Sequence, residues 1–465
     1  MSESFDLVVI GGGPAGLAAA TEARALGLSV ALVDEQAEPG GQIYRNVERA
    51  EAEGRAAPLG DDYRRGLGLV RAFRASGATH FAQHQAWQVE RDGRVFVTDG
   101  AKSRLLEGRR VLVAVGAMER PVPIPGWTLP GVMGVGAAQI LHKSIGVLPD
   151  AGVWLAGSGP LLLHFAVEVV EAGGRIAGIL DTTRSFAPAT VLAHPVAALR
   201  GRSYLAKGIG YLARLRMAGV VRHSGVEAVE AHGEARVSKV RWRTGTQWHE
   251  APATGLLLHE GVIPHVHMTQ ALGCEHAWDE AQQCFRPRTD AFGATSVEAI
   301  FVAGDCGGIG GAIVAEGRGR VAALGIAASL GRIAPADRDA KAKPIRDGLA
   351  PHEAIRPLLD ALYRPAPELL APADDVVACR CEGVTAGRLR EAVSLGCLGP
   401  NQAKSFTRCG MGPCQGRLCG PTVTGTIAKA LGQSPAQVGS FRIRPPLKPL
   451  TLGELATLAD LERGG

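Results

Sequence analysis

The sequence predicts an α/β fold with two separate strand–glycine loop–helix–strand units, followed by a small helical domain near the C-terminus. Three observations lead to this fold class. The stretch GGGPAG at residues 11–16 directly follows an apolar strand, and GSGP at 157–160 follows another. Six of the nine cysteines lie between Cys379 and Cys419, on both sides of a predicted helix.

Composition narrows the class of protein before any motif is considered. The 465 residues, 46% of them hydrophobic, are enough for two or three domains with large cores. A net charge of +5 gives little support for nucleic acid as a partner. Neither a membrane span nor a signal peptide is expected. We therefore predict a cytoplasmic protein, whose cysteines are more often metal ligands or buried thiols than disulfides.

The first unit has the features of a dinucleotide site. Gly11, Gly13 and Gly16 form GxGxxG between a strand and a helix predicted from about residue 14 to 26. Gly11 permits the tight turn, Gly13 lets a pyrophosphate approach the backbone, and Gly16 lets helix and strand pack closely. Asp34 ends the next strand, where a carboxylate would accept hydrogen bonds from a ribose, and Glu35 is the neighbouring candidate.

Three further stretches indicate that this dinucleotide is FAD. TSVEAIFVAGDCGG at 295–308 resembles the second flavin fingerprint of the glutathione-reductase-like family, in which the aspartate meets the ribityl chain and pyrophosphate. VLVAVGA at 111–117 and PGGQIYR at 39–45 resemble two other flavin-side stretches of that family. Asp305 could instead simply cap the next helix. The predicted FAD residues are Gly11, Gly13, Pro14, Ala15, Gly16, Asp34, Glu35, Gly41, Gln42, Gly116, Gly304, Asp305 and Ala312.

The second unit has the shape of an NAD(P) domain with a damaged glycine motif. Gly157 and Gly159 are present, but the third glycine position holds Leu162, which should push the helix from the strand. Asp181 could accept a ribose. We predict that this unit does not hold NAD(P)H tightly. The predicted domains are 1–120 with 265–335 for FAD and 121–264 for the NAD(P)-like fold.

No residue of the chain is predicted to be catalytic. Disulfide reductases of this fold carry a cysteine pair near the flavin, whereas no cysteine here precedes Cys274. Cys306 is single and is predicted to be a buried structural thiol. His265 and His267 are likewise predicted to be structural.

The C-terminal cysteines predict a metal centre. After a linker at 336–373 with one helix near 352–363, a domain at 374–435 carries CxC and CxxxxC motifs, followed by a tail at 436–465. The cysteines lie in loops before helices, where helix dipoles offset the charge of a thiolate cluster. The tight CxC favours an iron–sulfur centre over structural zinc, with unligated thiols as a third alternative.

CRCEGVT and GMGPCQGRLC resemble the [2Fe–2S] domain of bacterioferritin-associated ferredoxin. The resemblance implies that Cys379, Cys381, Cys414 and Cys419 are the ligands. Cys409 is an extra thiol nearby, which could replace Cys414 or Cys419, and Cys397 lies between the helices.

Taken as a whole, the chain resembles the large flavin subunits of heteromeric amino- and imino-acid dehydrogenases, among them opine oxidase, hydrogen cyanide synthase and D-hydroxyproline dehydrogenase. The resemblance implies an amine-oxidase-like flavoprotein partner that oxidises the C–N bond, FMN at the subunit interface, and a small ferredoxin-like subunit. This chain would relay electrons to an acceptor. Two alternatives are a stand-alone NAD(P)H-dependent ferredoxin-type reductase and a non-catalytic assembly subunit.

Residues 182–226 contain no acidic residue and carry a run of cations, which could dock a partner or be a solvated helix face. The cations are Arg184, Arg200, Arg202, Lys207, Arg214, Arg216 and Arg222.

Overall fold

The computed structural model of the protein describes residues 3–184 and 187–458, and its first sheet has seven strands. The strand order is β3-β2-β1-β6-β5-β4, with one later strand pairing with β6. β1 lies parallel to β2 and β6, whereas β4, β5 and the first half of β6 form an antiparallel extension. The strands are β1 (Glu3–Ile10), β2 (Val30–Asp34), β3 (Thr79–Ala82), β4 (Gln85–Val89), β5 (Arg94–Thr98), β6 (Ser103–Val113) and β7 (Ala117–Glu119), and the helices are α1 (Pro14–Ala25), α2 (Val47–Ala52), α3 (Asp61–Arg64) and α4 (Gly66–Ala75).

The second sheet repeats this plan. Five parallel strands in the order β11-β10-β9-β15-β8 stand beside an antiparallel β12-β13-β14 sheet. β7 and β16 pair with each other where the chain passes between the two sheets. The strands are β8 (Val132–Gly134), β9 (Val153–Ser158), β10 (Gly178–Asp181), β11 (Arg222–Ser224), β12 (Val226–His232), β13 (Lys239–Thr244), β14 (Gln247–Pro252), β15 (Gly255–Glu260) and β16 (Val262–Pro264), and the helices are α5 (Val135–Ile145), α6 (Pro160–Glu171), α7 (Ala187–Ala193), α8 (Pro195–Arg200) and α9 (Arg202–Met217).

The chain then returns to the first sheet. β19 joins it parallel to β6, and the next long helix packs on α1 so closely that a Cβ on Gly319 would lie 2.1 Å from the carbonyl oxygen of Ala15. The glycine is therefore required by close helix packing. The elements are α10 (His267–Ala271), β17 (His276–Asp279), β18 (Cys284–Pro287), β19 (Ile300–Val302), a 3₁₀ turn at Gly304–Gly307 and α11 (Ala312–Ser329).

Residues 336–373 differ from the linker with one helix that the composition predicts. Three helices occupy this segment, and Ile355, Leu358 and Leu362 are buried against Ala197 of α8. The sequence does not predict these helices, because the segment is charged and contains prolines. Pro344 lies inside a helix that tertiary contacts hold together. The helices are α12 (Pro335–Ala354), α13 (Arg356–Leu362) and α14 (Pro367–Leu370).

The C-terminal part shares a core with the first sheet. Leu389, Val423 and Phe441 belong to the same buried cluster as Val111 of β6. The last segment crosses the antiparallel extension, where the backbone N–H of Leu447 donates to the carbonyl of Trp87 at 2.8 Å. The elements are β20 (Val377–Cys379), β21 (Val384–Thr385), α15 (Ala386–Ser394), α16 (Pro400–Thr407), α17 (Gly420–Leu431), α18 (Pro435–Val438) and α19 (Leu452–Ala456).

Among the described residues, no helix has the length and apolar character that a membrane crossing requires.

Candidate functional site

The glycine loop after β1 has the geometry that its spacing predicts. Gly11 has a φ of +109°, and a Cβ on Gly16 would lie 1.9 Å from the Gly11 carbonyl oxygen, so α1 packs directly on the strand end. A Cβ on Gly13 would meet only the Cα of Gly41, at 3.9 Å. The loop is therefore tight on its inner side and open beside Gly13, where a pyrophosphate could approach the backbone.

Asp34 and Glu35 have different surroundings at the end of β2. The Asp34 carboxylate is buried and accepts hydrogen bonds from the backbone N–H groups of Gly12 and Gln36, the latter at 2.7 Å. Burial raises the pKa of Asp34, although these two bonds oppose the shift. Glu35 is exposed, and its carboxylate pairs with Lys448. Asp34 therefore holds the glycine loop in shape, and Glu35 is the more exposed of the two carboxylates.

Other loops meet the glycine loop at the same edge of the sheet. The backbone N–H of Gly40 donates to the Gly12 carbonyl at 2.8 Å, and Gly41 has a φ of +62°. A Cβ on Gly304 would lie 2.7 Å from the Cβ of Ala15. The structure thus brings residues 39–45 and the start of the 304–311 loop onto the N-terminal end of α1.

The carboxylate of Asp305 shapes the loop that leads into α11. Its Oδ1 accepts from the backbone N–H of Gly310 at 2.8 Å and of Gly311 at 3.1 Å. Ala312 is the first residue of α11, and Gly116 adopts a φ of +69° in the connection between β6 and β7. Two helix N-termini and several positive-φ glycines therefore lie around one edge, and this arrangement fits a dinucleotide such as FAD.

In the second unit, side chains of the protein itself occupy the edge of the sheet that corresponds to the predicted flavin site of the first unit. Leu162 is buried in the core between α6 and β9. The Asp181 carboxylate is held by the Arg222 guanidinium, through Nε at 2.7 Å, and by the backbone N–H of Thr183 at 2.8 Å. Asp181 is therefore already paired, and a ribose would have to compete with Arg222.

Two more carboxylates lie at the ends of β7 and β15. Glu260 is buried and accepts from Ser158 at 2.9 Å and from Thr182, and burial raises its pKa. Glu119 pairs with His259 Nδ1 at 2.8 Å. A Cβ on Gly134, the N-cap of α5, would lie 2.1 Å from the Glu119 carboxylate. Two acidic side chains thus lie at this edge of the second sheet, where they would repel an anionic ligand.

Five of the C-terminal cysteines come together. The sulfurs of Cys379, Cys409 and Cys419 lie within 4.8 Å of one another, and all three are buried. Cys381 is exposed and lies beside the half-buried Cys414, with which it shares a hydrogen bond. The group therefore has a buried side and a side that faces solvent.

Hydrogen bonds among the thiols of this group shift their pKa values. Hydrogen bonds from Cys409 and Cys419 lower the pKa of Cys379 to about 2, and the bond from Cys419 lowers that of Cys414 to about 5. The same hydrogen bonds raise the pKa of Cys419, and the one to Cys379 raises that of Cys409. The group thus contains cysteines whose neighbours lower their pKa, as is common for cysteines that bind metals.

The local helices fit a negative cluster. The Thr385 side chain caps α15 by accepting from the backbone N–H of Arg388 at 3.4 Å. Cys419 is itself the N-cap residue of α17. Cys397 lies outside the group, since its sulfur bonds to the Gly399 carbonyl. The donor set fits an iron–sulfur cluster at this place.

The sequence leaves the role of Cys409 open, and it predicts that the two histidines near the cysteines are structural. Cys306 is fully buried as predicted, and burial raises its pKa to about 12.

The backbone N–H of His265 donates to the Gly116 carbonyl at 3.0 Å, which places this histidine beside one of the predicted flavin loops. No sequence pattern marks these neighbours, since they come together only through the tertiary fold.

Comparisons with known proteins agree with this two-part arrangement. Residues 5–319 match the family model described as pyridine nucleotide-disulphide oxidoreductase, and residues 379–459 match the sarcosine oxidase A3 domain. The chain is 47% identical to the opine oxidase A subunit of Rhizobium meliloti (strain 1021), over 98% of this chain and 99% of the relative. It is 34% identical to the HcnB subunit of hydrogen cyanide synthase from Pseudomonas aeruginosa, over 97% and 98%.

Solved structures show the same fold. L-proline dehydrogenase from P. horikoshii superposes with a TM-score of 0.69 at 20% identity, over 98% of this chain and 80% of that one. Thioredoxin reductase of Lactococcus lactis gives 0.51 at 17% identity, over 71% and 100%. The predicted α/β fold class with a helical C-terminal region is therefore confirmed.

Proposed function

Because the chain belongs to the pyridine nucleotide-disulphide oxidoreductase family, and within it to the family of opine oxidase A subunits, we propose that it is the FAD- and [2Fe–2S]-containing subunit of a heteromeric oxidoreductase. The complex oxidises an amino or imino acid of the opine, glycine or D-hydroxyproline class at a CH–NH or CH–NH₂ group. This subunit relays the electrons from the partner's substrate flavin to an acceptor.

The observation that carries this proposal is the shared core of the two predicted redox domains. Val113, at the end of β6, and Cys379, Cys409 and Cys419 belong to one continuous buried cluster. A flavin accepts electrons in pairs and an iron–sulfur cluster accepts them singly, so the two together convert two-electron chemistry to one-electron transfer. Electron transfer between the two cofactors needs them close together, and the continuous core that joins the two domains supports the proposal.

In this proposal FAD is held by the loops that converge on α1. Gly13 and the α1 N-terminus face the pyrophosphate, Glu35 accepts from the adenosine ribose, and Asp34 supports the loop from behind. The remaining predicted contacts are Gly11, Pro14, Ala15, Gly16, Gly41, Gln42, Gly116, Gly304, Asp305 and Ala312. The domain boundaries at 120/121 and 264/265, which lie beside the β7–β16 pair, remain part of the proposal.

The cluster ligands in this proposal are Cys379, Cys381, Cys414 and Cys419. In this proposal Cys409 is a fifth, unligated thiol that donates its S–H to the Cys379 sulfur. Cys381 is exposed, with Met411 and Leu418 exposed in the same region of the cysteine loops. This side offers an apolar contact through which electrons leave to the acceptor.

The partner subunit supplies the substrate pocket. His265 lies beside the Gly116 flavin loop, but burial lowers its pKa to about 3, so it is a weak base. Hydride removal also needs a substrate fixed close to a flavin ring in a water-poor pocket. An amine-oxidase-like flavoprotein partner, an FMN at the subunit interface and a small ferredoxin-like subunit complete the proposed assembly.

The two alternatives are less well supported. A stand-alone NAD(P)H-dependent reductase needs a nicotinamide site, whereas Leu162, the paired Asp181 and the Glu119–His259 pair fill that edge of the second unit. An assembly subunit without a redox role does not explain a group of five thiols beside the flavin domain.

Cofactor analysis of the purified complex tests the proposal. We expect one FAD released by acid per chain and about two irons with two labile sulfides. One equivalent of zinc without iron, or a nucleotide other than FAD in the first site, would contradict it.

A further inference from the structure

A small cavity of about 60 Å³ lies between the flavin-binding part and the cysteine domain. Its walls come from β7, from β16 and the segment after it, from the β17–β18 hairpin, from the start of α17 with the residues before it, and from the C-terminal tail. It has room for about four water molecules. None of the five grouped cysteines lines it, so it is separate from the proposed cluster site.

Several polar nitrogen atoms around this cavity have no hydrogen-bond partner. His267 is 6% exposed, and its Nε2 has no partner; the same is true of the buried Nδ1 of His265 and the buried indole N–H of Trp278. All three residues line the cavity, and so does Arg417. The indole and the guanidinium can only donate hydrogen bonds. Buried polar groups are normally paired, so these nitrogens indicate a ligand rich in acceptors.

The electrostatics of the cavity favour negative charge. No aspartate or glutamate is among its lining residues, and within the described part of the chain Arg417 takes part in no ion pair. Burial and the charge of Arg417 lower the pKa of His265 to about 3 and of His267 to about 4, so both imidazoles are neutral at pH 7. The N-terminal end of α17, a helix of 12 residues, adds its partial positive charge at Gly420. Cys284 is a neutral thiol here, since burial raises its pKa to about 12.

We propose that this cavity is a binding site for one small monoanion, a carboxylate of formate or acetate size or a halide, held by Arg417, His267 and the Trp278 N–H. Arg417 supplies the charge, and the ring nitrogen and the indole N–H supply direction. Apolar side chains such as Phe441 and Ile263 close the rest of the cavity and limit the size of the ligand. The proposal does not depend on which metal the cysteines hold.

Bromide is the probe that tests this site, because its anomalous scattering distinguishes it from water. Crystals of the loaded holoprotein grown in bromide should show an anomalous peak between His267 Nε2 and the Arg417 guanidinium. Formate in excess should displace it if the natural ligand is a carboxylate, and a peak that formate does not displace assigns the site to halide. Water at that position at high bromide concentration would overturn the proposal.

A matched pair of variants tests the role of the charge in solution. Arg417→Gln should weaken bromide binding, followed by quenching of Trp278 fluorescence, by tenfold or more. Arg380→Gln removes an equal charge from the neighbouring exposed CxC loop and should leave binding unchanged. Trp278→Phe identifies the quenched signal. Equal losses in the two arginine variants would overturn the proposal. If Arg417→Gln does not fold, the bromide peak in the wild-type protein decides.

Discussion

The different roles of Asp34 and Glu35 give a prediction that one-residue changes can separate. Asp34→Asn keeps the shape of the side chain but turns one carboxylate oxygen into an amide N–H₂ facing a backbone N–H. One of the two bonds, to Gly12 or to Gln36, is then lost. A hydrogen bond to a charged group contributes about 1.5–3 kcal/mol, and removing a buried charge offsets part of that. We expect the flavin-free protein to lose about 2 kcal/mol of stability.

Glu35→Gln is the matched control, because Glu35 is exposed and has only Lys448 as a partner. Its effect on unfolding should stay within about 0.5 kcal/mol, whereas loss of one charge-assisted bond to the ribose should weaken FAD binding about tenfold. Urea unfolding of the flavin-free protein and FAD titration followed by flavin fluorescence measure both quantities. The assignment is refuted if Asp34→Asn weakens FAD binding without changing stability while Glu35→Gln has no effect on binding.

Three further predictions concern other parts of the chain. Cys414→Ser should lose the iron, whereas Cys409→Ala should keep it. Cys409→Ala should also lower the reduction potential of the cluster, because hydrogen bonds to ligand sulfurs raise that potential. Loss of iron in Cys409→Ala would instead show that Cys409 is a ligand. Lys143 is 2% exposed, and burial lowers its pKa to about 8. Above that pH the unfolded state therefore binds more protons than the folded state. The free energy of unfolding should rise by up to about 1.4 kcal/mol per pH unit between pH 8 and 10. Urea unfolding should show this rise in the protein and in a variant of the exposed Lys429, but not in Lys143→Met; a rise that persists in Lys143→Met would contradict the assignment. Millimolar NADH should not bleach the flavin within seconds in an anaerobic stopped-flow cell, and prompt bleaching would show that the second unit binds nicotinamide.

The sequence predicts the fold well because its motifs are local. The glycine loop at 11–16 needs only a strand before it and a helix after it, and the repeated plan of the second sheet follows from the second such loop. The cysteine spacing likewise predicts four thiols in two neighbouring loops, and the structure brings them together with a fifth.

What the sequence does not predict depends on contacts between distant segments. Asp34 and Glu35 are adjacent in the chain, and only the fold shows that one carboxylate is buried on Gly12 while the other is exposed. The order of residues 335–370 also depends on distant contacts, since Ile355 and Leu358 are buried against α8. The cavity beside Arg417 joins five separate segments, and no spacing rule connects them.

The central claim, that this chain relays electrons from a substrate oxidised elsewhere, is tested most directly by EPR spectroscopy under anaerobic conditions. The chain, fully loaded with FAD and iron, is mixed with an opine, D-proline, D-hydroxyproline or glycine, alone and after co-expression with its flavoprotein partner. We predict the signal of a reduced [2Fe–2S] cluster, with at least one of these substrates, only in the complex. Reduction of the cluster by substrate in the isolated chain, with dye turnover to match, would contradict the relay function.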